Sequence, residues 1–237
     1  MPAGEDQPTP WGPLLTAEFL GTFFLVFAGC GAMLSNDITA GVVGHTTVGI
    51  VWGLVVMALI YAIGDISGCH INPAVTIAFW VAGRFPRRKV LPYLVTQFAG
   101  ATAAALALRL LFPVPEGTDL GATIPSPDTS IAQLFILELL LTFLLMLVIL
   151  GVSTGAKEKG ITAAIAIGGT VGLEALFCGP ITRASMNPAR SLGPAVVSGD
   201  PLALSTLWVY LVATPLGAIL AVVVYRYMRS ASANTEG

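Results

Sequence analysis

The chain has 237 residues, 55% of them hydrophobic and only 10% charged, with a formal net charge of −2 and a mean hydropathy of +0.85. Soluble domains carry about a quarter charged residues, so this composition excludes one and marks an integral membrane protein whose first partner is the lipid bilayer. The near-neutral charge offers nothing to a nucleic acid, and no separate soluble domain is left over.

A polar stretch, residues 1–13, reads as an N-terminal tail. The first hydrophobic segment begins near Leu14 with no basic region before it and no clear cleavage site, and is read as a membrane helix rather than a removed signal peptide. Six segments are long enough to cross about 30 Å of hydrocarbon: residues 14–34, 44–64, 90–112, 131–151, 161–178 and 205–227. A short C-terminal tail covers residues 229–237. An even number of spans puts both termini on one side. Arg84, Arg87, Arg88, Lys89, Lys157, Lys159, Arg226 and Arg229 fall on that side, and only Arg109, Arg183 and Arg190 on the other. Lys and Arg collect in cytoplasmic loops, so both termini are expected in the cytoplasm of a multi-pass protein of the cell membrane, plasma or inner. The loop 113–129 then lies outside and the loop 153–160 inside.

Two apolar pieces, residues 74–82 and 189–197, are too short to span, since about ten helical residues cover about 15 Å. Each follows the same triplet: Asn72-Pro73-Ala74 and Asn187-Pro188-Ala189, 187 − 72 = 115 residues apart. Asparagine is a favoured N-cap, and proline suits the first helical position because its φ is preset and it has no N–H to leave unpaired. The first piece lies on the cytoplasmic side and the second on the outer side. The expected fold is therefore all-α and membrane-integral: six transmembrane helices and two re-entrant half-helices in an inverted repeat, repeat 1 over about 14–112 and repeat 2 over about 131–228, in one domain of residues 14–228. Glu18 with Thr22 is matched by Glu138 with Thr142, 138 − 18 = 120 residues on. Re-entrant loops carry unpaired N–H groups, so these acids are read as structural acceptors bracing the loops rather than as proton relays.

If the half-helices meet N-terminus to N-terminus, both positive dipole ends point at the midplane. The amides of Asn72 and Asn187 can then donate to a passing polar molecule while cations are repelled. Arg190 follows Asn187 by three residues and shares its helix face; Val75 is the equivalent in the first repeat.

The stretches Ala17-Glu18-Phe19-Leu20-Gly21-Thr22, Ile66 through Thr76 and Gly179 through Ser191 resemble the major intrinsic protein family, the aquaporins and glycerol facilitators, over residues 14–228. The resemblance implies an aquaporin-like homotetramer with one passive pore per subunit. It also implies a selectivity filter of Arg190 with Trp52, Ala175 and Ala184. Water-selective members carry histidine at the segment-five position and a small polar or sulfur residue in the loop; here both are alanine. A wider, more apolar ring suits glycerol-like polyols, urea-sized solutes and neutral metalloid hydroxides such as boric or arsenous acid, with water also passing. The closest resemblance is to the nodulin-like intrinsic proteins and their bacterial relatives. Ser191 and Ala195 follow the aquaporin pattern, not the glycerol-facilitator one. Two rival readings are a water-selective aquaporin and a coupled secondary transporter; the latter would need a titratable group where this chain offers amides. A non-conducting junction protein on the same fold would show no flux. An enzyme is disfavoured because no nucleophile, base and orienting group converge.

Four further residues need a place. His70, beside the first triplet, is expected to hydrogen-bond loop backbone or line the inner vestibule. Cys69, three residues before Asn72, corresponds to Ala184 and is the candidate site for mercurial block. Cys30, Cys69 and Cys178 have no metal-ligand spacing, so neither a metal nor another cofactor is expected. Arg183 reads as a loop-bracing donor or an outer-vestibule charge. Glu174, turned about 100° from Ala175 on a helix, reads as facing a helix or subunit contact rather than the lumen, with a functional role as the alternative for an acid inside the membrane.

Overall fold

The computed structural model describes residues 10–115, 117–153 and 161–233. The tail up to residue 9, Lys157 and Lys159 of the inner loop, and the last four residues lie outside them. Eight helices follow one another among the described residues: α1 Trp11–Ile38, α2 His45–Ser67, α3 Pro73–Val81, α4 Arg87–Leu111, α5 Ile131–Val152, α6 Ile161–Thr182, α7 Pro188–Ser198 and α8 Pro201–Ala233. Six of them are long and apolar enough to cross a membrane. The other two, α3 with 9 residues and α7 with 11, are the half-helices.

The triplets start α3 and α7 as the residue types dictate. Asn72 is extended at φ −157° and its side chain accepts from the Ala74 N–H; Asn187, at φ −150°, accepts from Ala189 and Arg190. Proline occupies the first helical position in both.

Several helices are longer than hydropathy predicts. α1 starts at Trp11 rather than Leu14, and α8 runs from Pro201 to Ala233 rather than over 205–227. α6 continues past 178, through Pro180, to Thr182. Hydropathy marks only the part of a helix that lies in hydrocarbon, whereas backbone hydrogen bonding continues into the headgroup region.

The packing is symmetric under exchange of the repeats. α1 packs on α2 and α4 as α5 packs on α6 and α8, α3 lies against α8 as α7 lies against α4, and α2 meets its own counterpart α6. At that central crossing the backbones nearly touch: a Cβ on Gly53 would sit 2.7 Å from the Gly168 carbonyl, and one on Gly168 2.6 Å from the Gly53 carbonyl. Small residues let membrane helices approach closely where no hydrophobic effect draws them together. The outer faces carry exposed Leu20, Phe24, Leu106, Ile136, Leu140, Leu173, Phe177 and Leu220, side chains suited to lipid or a neighbouring subunit.

Candidate pore

The two half-helices meet at their N-termini, and the asparagines join them. Asn72 Nδ2 donates to the Met186 carbonyl at 2.8 Å, and Asn187 Nδ2 donates to the Ile71 carbonyl at 2.9 Å. Each Oδ1 is taken up by its own helix, on Ala74 N at 2.9 Å and on Ala189 N at 3.0 Å. The sequence reading has both amides able to donate to a passing molecule; one N–H of each is spent on the opposite loop. An amide carries two N–H donors, so one per asparagine is left for the cavity that both residues line.

The loops entering α3 and α7 share one unusual backbone. Gly68, Cys69 and Ile71 have φ of +85°, +47° and +44°, and Arg183, Ala184 and Met186, each 115 residues later, have +66°, +41° and +54°. Such loops turn N–H groups inward, and the paired glutamates receive them. Glu18 accepts from Ser67 Oγ (2.7 Å), His70 N (2.9 Å), Ile71 N (2.7 Å) and Gln97 Nε2 (2.8 Å). Glu138 accepts from Thr182 Oγ1 (2.7 Å), from Ser185 N on both oxygens (3.0 and 3.2 Å) and from Met186 N (3.0 Å). Both acids are fully buried. Two tyrosines repeat the theme: Tyr93 donates to the Ser67 carbonyl and Tyr210 to the Thr182 carbonyl, each at 2.9 Å. Gln97 and the tyrosines escaped the sequence reading, although 210 − 93 = 117 is a usable repeat signal.

His70 lies under α3, with Nδ1 3.1 Å from Thr76 Oγ1 and its ring stacked 4.9 Å from Phe79. Thr76 Oγ1 gives its hydrogen to the Asn72 carbonyl and accepts from Gln97. With that hydrogen committed, Thr76 Oγ1 can only accept from the ring, so His70 donates from Nδ1. His70 and Cys69 both line the cavity that the two asparagines line.

A cavity of about 370 Å³ runs from Tyr61, Asp65 and Ser153 past Asn72 and Asn187 to Trp52, Ala175, Ala184 and Arg190. A second, of about 540 Å³, lies beyond and is lined by Asn36, Asp37, His45, Pro125 and Arg183. Trp52 and Ala175 belong to both, so the two spaces adjoin at this ring. The four residues expected to form the filter come from α2, α6, the second loop and α7, and they meet here.

Arg190 is only 2% exposed. Its Nη1 donates to the Gly121 carbonyl at 2.8 Å, its Nη2 lies 3.6 Å from the Met33 sulfur, and the guanidinium sits 4.7 Å over the Trp52 ring. Its Nε has no partner among the described residues. Gly121 and Met33 were missed at the sequence level, because a backbone carbonyl and a thioether leave no charge pattern. Val75, the counterpart of Arg190, also lines the first cavity and brings no charge to it.

Glu174 is fully buried, outside the lining of both cavities, and neither carboxylate oxygen has a hydrogen-bond partner among the described residues. It is buried within the helix packing. Among the described residues no group of three or more His, Cys, Asp or Glu side chains could hold a metal, and all three cysteines are free.

The sequence model described as "Major intrinsic protein" matches residues 11–225. The chain is 47% identical over 224 residues to "Aquaporin NIP1-1" of Arabidopsis thaliana, covering 93% of this chain and 75% of that one. It is 45% identical over 219 residues to "Aquaporin NIP1-2" of Oryza sativa subsp. japonica, covering 91% and 71%. Among solved structures, the aquaglyceroporin from Plasmodium falciparum superposes with a TM-score of 0.81 at 28% identity, covering 91% of this chain and 96% of that one.

Proposed function

The chain belongs to the major intrinsic protein family, and from that premise we propose that it passes glycerol-like polyols and neutral metalloid hydroxides such as boric or arsenous acid, as well as water. As a member of that family it is a multi-pass membrane channel for small solutes and water, and not an enzyme. The observation that carries the finer reading is the ring at the junction of the two cavities. Arg190, with its guanidinium over the Trp52 ring, lines the same space as two alanines, Ala175 and Ala184. A guanidinium offers donors to hydroxyls, an indole face packs against carbon, and two methyl groups leave width beside them. Water alone needs none of that width.

In this reading Asn72 and Asn187, each with Pro and Ala after it (Pro73, Ala74, Pro188, Ala189), set the midplane. The free amide N–H groups donate to the solute, and two positive helix ends repel cations and protons. Glu18, Glu138 and His70 brace the loops, and Cys69 is the thiol a mercurial reaches from the inner cavity. The chain works as one domain from about residue 14 to 228, as a homotetramer with a pore in each subunit and both termini in the cytoplasm of the cell membrane. Support for the substrate class comes from the relatives themselves, named as NIP aquaporins and an aquaglyceroporin.

Stopped-flow light scattering of proteoliposomes under water, glycerol and boric acid gradients tests the proposal. Flux of all three down their gradients is expected. Water flux alone identifies a water-selective aquaporin. Accumulation of solute against its gradient identifies a coupled transporter, and absence of any flux a non-conducting protein.

A further inference from the structure

Arg183 stands where the backbone favours glycine. Its φ is +66°, and its counterpart in repeat 1, 183 − 115 = 68, is Gly68 at φ +85°. A side chain with a Cβ is disfavoured in that region, so an arginine there calls for a role of its side chain. That side chain reaches into the loop between α4 and α5, where Nη2 lies 3.7 Å from Asp119 Oδ2.

Asp119 leads on to the filter. Its other oxygen, Oδ1, accepts the Gly121 N–H at 2.9 Å, and the Gly121 carbonyl accepts Arg190 Nη1 at 2.8 Å. Three short steps thus join an arginine of the outer cavity wall to the arginine of the constriction. Gly121 is itself close-packed: a Cβ on it would stand 2.9 Å from Cys30. The far end of the loop is tied by Ser126 N–H to the Ile181 carbonyl at 2.8 Å, two residues before Arg183.

What makes the chain of contacts matter is how little else holds the Arg190 head group. Its other hydrogen-bond and cation–π contacts among the described residues are a thioether at 3.6 Å and the Trp52 ring, and Nε is unpartnered there. Gly121 therefore supplies the oxygen that fixes where the guanidinium sits. If Gly121 drifts, the guanidinium is free to lean over the lumen toward Ala175 and Ala184, whose methyl groups leave room.

We propose that Arg183 and Asp119 are positioning residues that, through Gly121, hold Arg190 at the edge of the constriction and so set its discrimination between polyols and water. This rests on the reading of Arg190 as a filter residue. Leaning across the lumen obstructs a polyol more than it obstructs water, so loosening the pair lowers polyol passage selectively. The pair is partly exposed, with side chains 40% and 22% accessible, so its effect is modest.

The test measures glycerol and water permeability in proteoliposomes, with thermal stability in detergent, for the parent chain, Arg183→Gly, Arg183→Lys, Asp119→Asn and Arg190→Ala. Arg183→Gly and Asp119→Asn should each lower the glycerol-to-water ratio by roughly two- to fivefold, the range of an exposed ion pair. Arg183→Lys keeps the charge and should retain most of the ratio. Arg183→Gly also relieves the backbone, so its stability should hold or rise while its selectivity falls, a split that a purely structural role does not produce. Should either charge-removing variant fold poorly, the other carries the measurement. An unchanged ratio in Arg183→Gly and Asp119→Asn, beside an altered one in Arg190→Ala, overturns the inference alone. If Arg190→Ala also leaves the ratio unchanged, the filter reading falls and the inference with it.

Discussion

The Arg190 guanidinium lies 4.7 Å over the ring of Trp52, so a fixed charge and an aromatic hold one another in place where the two cavities adjoin. The ring has room there because position 29 is glycine; a Cβ on Gly29 would clash with the indole. A cation over an indole face is worth about 0.5–2 kcal/mol depending on desolvation. That energy goes into posture as much as stability, because it turns the donors of Arg190 along the wall.

Replacing Trp52 with alanine should therefore do two things at once. It widens the ring on its aromatic side and frees the guanidinium from about 1 kcal/mol of restraint. The expected outcome is passage of polyols larger than glycerol, with a smaller change in water permeability, measured as solute exclusion against molecular size in vesicles. A Trp52→Ala channel that still rejects those polyols as sharply as the parent would show that the aromatic does not set the size limit.

The crossed bonds of the asparagines make a second case. Removing an N-cap costs about 1–2 kcal/mol, and here each substitution also removes the bond to the opposite loop. Asn187 caps two N–H groups, of Ala189 and Arg190, while Asn72 caps one. Asn187→Ala should lower the melting temperature more than Asn72→Ala. Both should increase proton leak in vesicles loaded with a pH dye, because loop and helix end lose their fixed orientation.

The two glutamates differ in a way their shared motif conceals. In Glu138 the backbone N–H of Ser185 reaches both oxygens, at 3.0 and 3.2 Å. A glutamine there can turn its NH2 toward the Thr182 hydroxyl, which is able to accept, and leave its oxygen for Ser185 and Met186. Glu18 has His70 N on one oxygen and Ile71 N on the other, so whichever way a glutamine turns, one buried N–H is orphaned. Such a group costs about 1–3 kcal/mol. Glu18→Gln is expected to be less stable than Glu138→Gln by that order, read as melting temperature in one detergent; equal stabilities would contradict it.

Of the three cysteines, Cys69 lines the inner cavity, whereas Cys30 and Cys178 are wholly buried outside it. A mercurial that exchanges the thiol proton for mercury at Cys69 places a bulky group in the cavity, on the loop three residues before Asn72. Micromolar mercurial should reduce flux in the parent and leave Cys69→Ser unaffected. Block that persists in Cys69→Ser would locate the reactive group elsewhere.

The parts of this site that could be read in the sequence are those written in side chains at a repeat spacing. The triplets gave the caps, the half-helices and their opposed entry, and the glutamate pair gave the loop acceptors. What stayed hidden is mostly backbone. The oxygen that holds Arg190 belongs to Gly121, 190 − 121 = 69 residues away, and any residue carries a carbonyl. The same holds for Met186 and Ile71, whose carbonyls take up one N–H of each asparagine. Helix ends were missed by several residues because hydropathy reports the slab of hydrocarbon and not the length of the hydrogen-bonded ladder.

The substitution that decides the substrate class is Ala175→His with Ala184→Thr. Both alanines are buried, at 5% and 6% exposure, and line the cavity that holds Arg190. The open side of the ring is therefore open only because those side chains end at Cβ. An imidazole on α6 and a threonine hydroxyl on the loop would enter the cavity that Trp52 and Arg190 also line. Together they replace two methyl groups with polar groups that a water molecule can bond and a carbon backbone cannot fit between. The double variant should keep water permeability within about threefold of the parent, less than 1 kcal/mol on the barrier. Glycerol and boric acid permeability should fall by tenfold or more, about 1.4 kcal/mol. Loss of water and solute flux in equal proportion would mean that the pair narrows the pore without choosing, and that the width at these two alanines is not what admits the larger solutes.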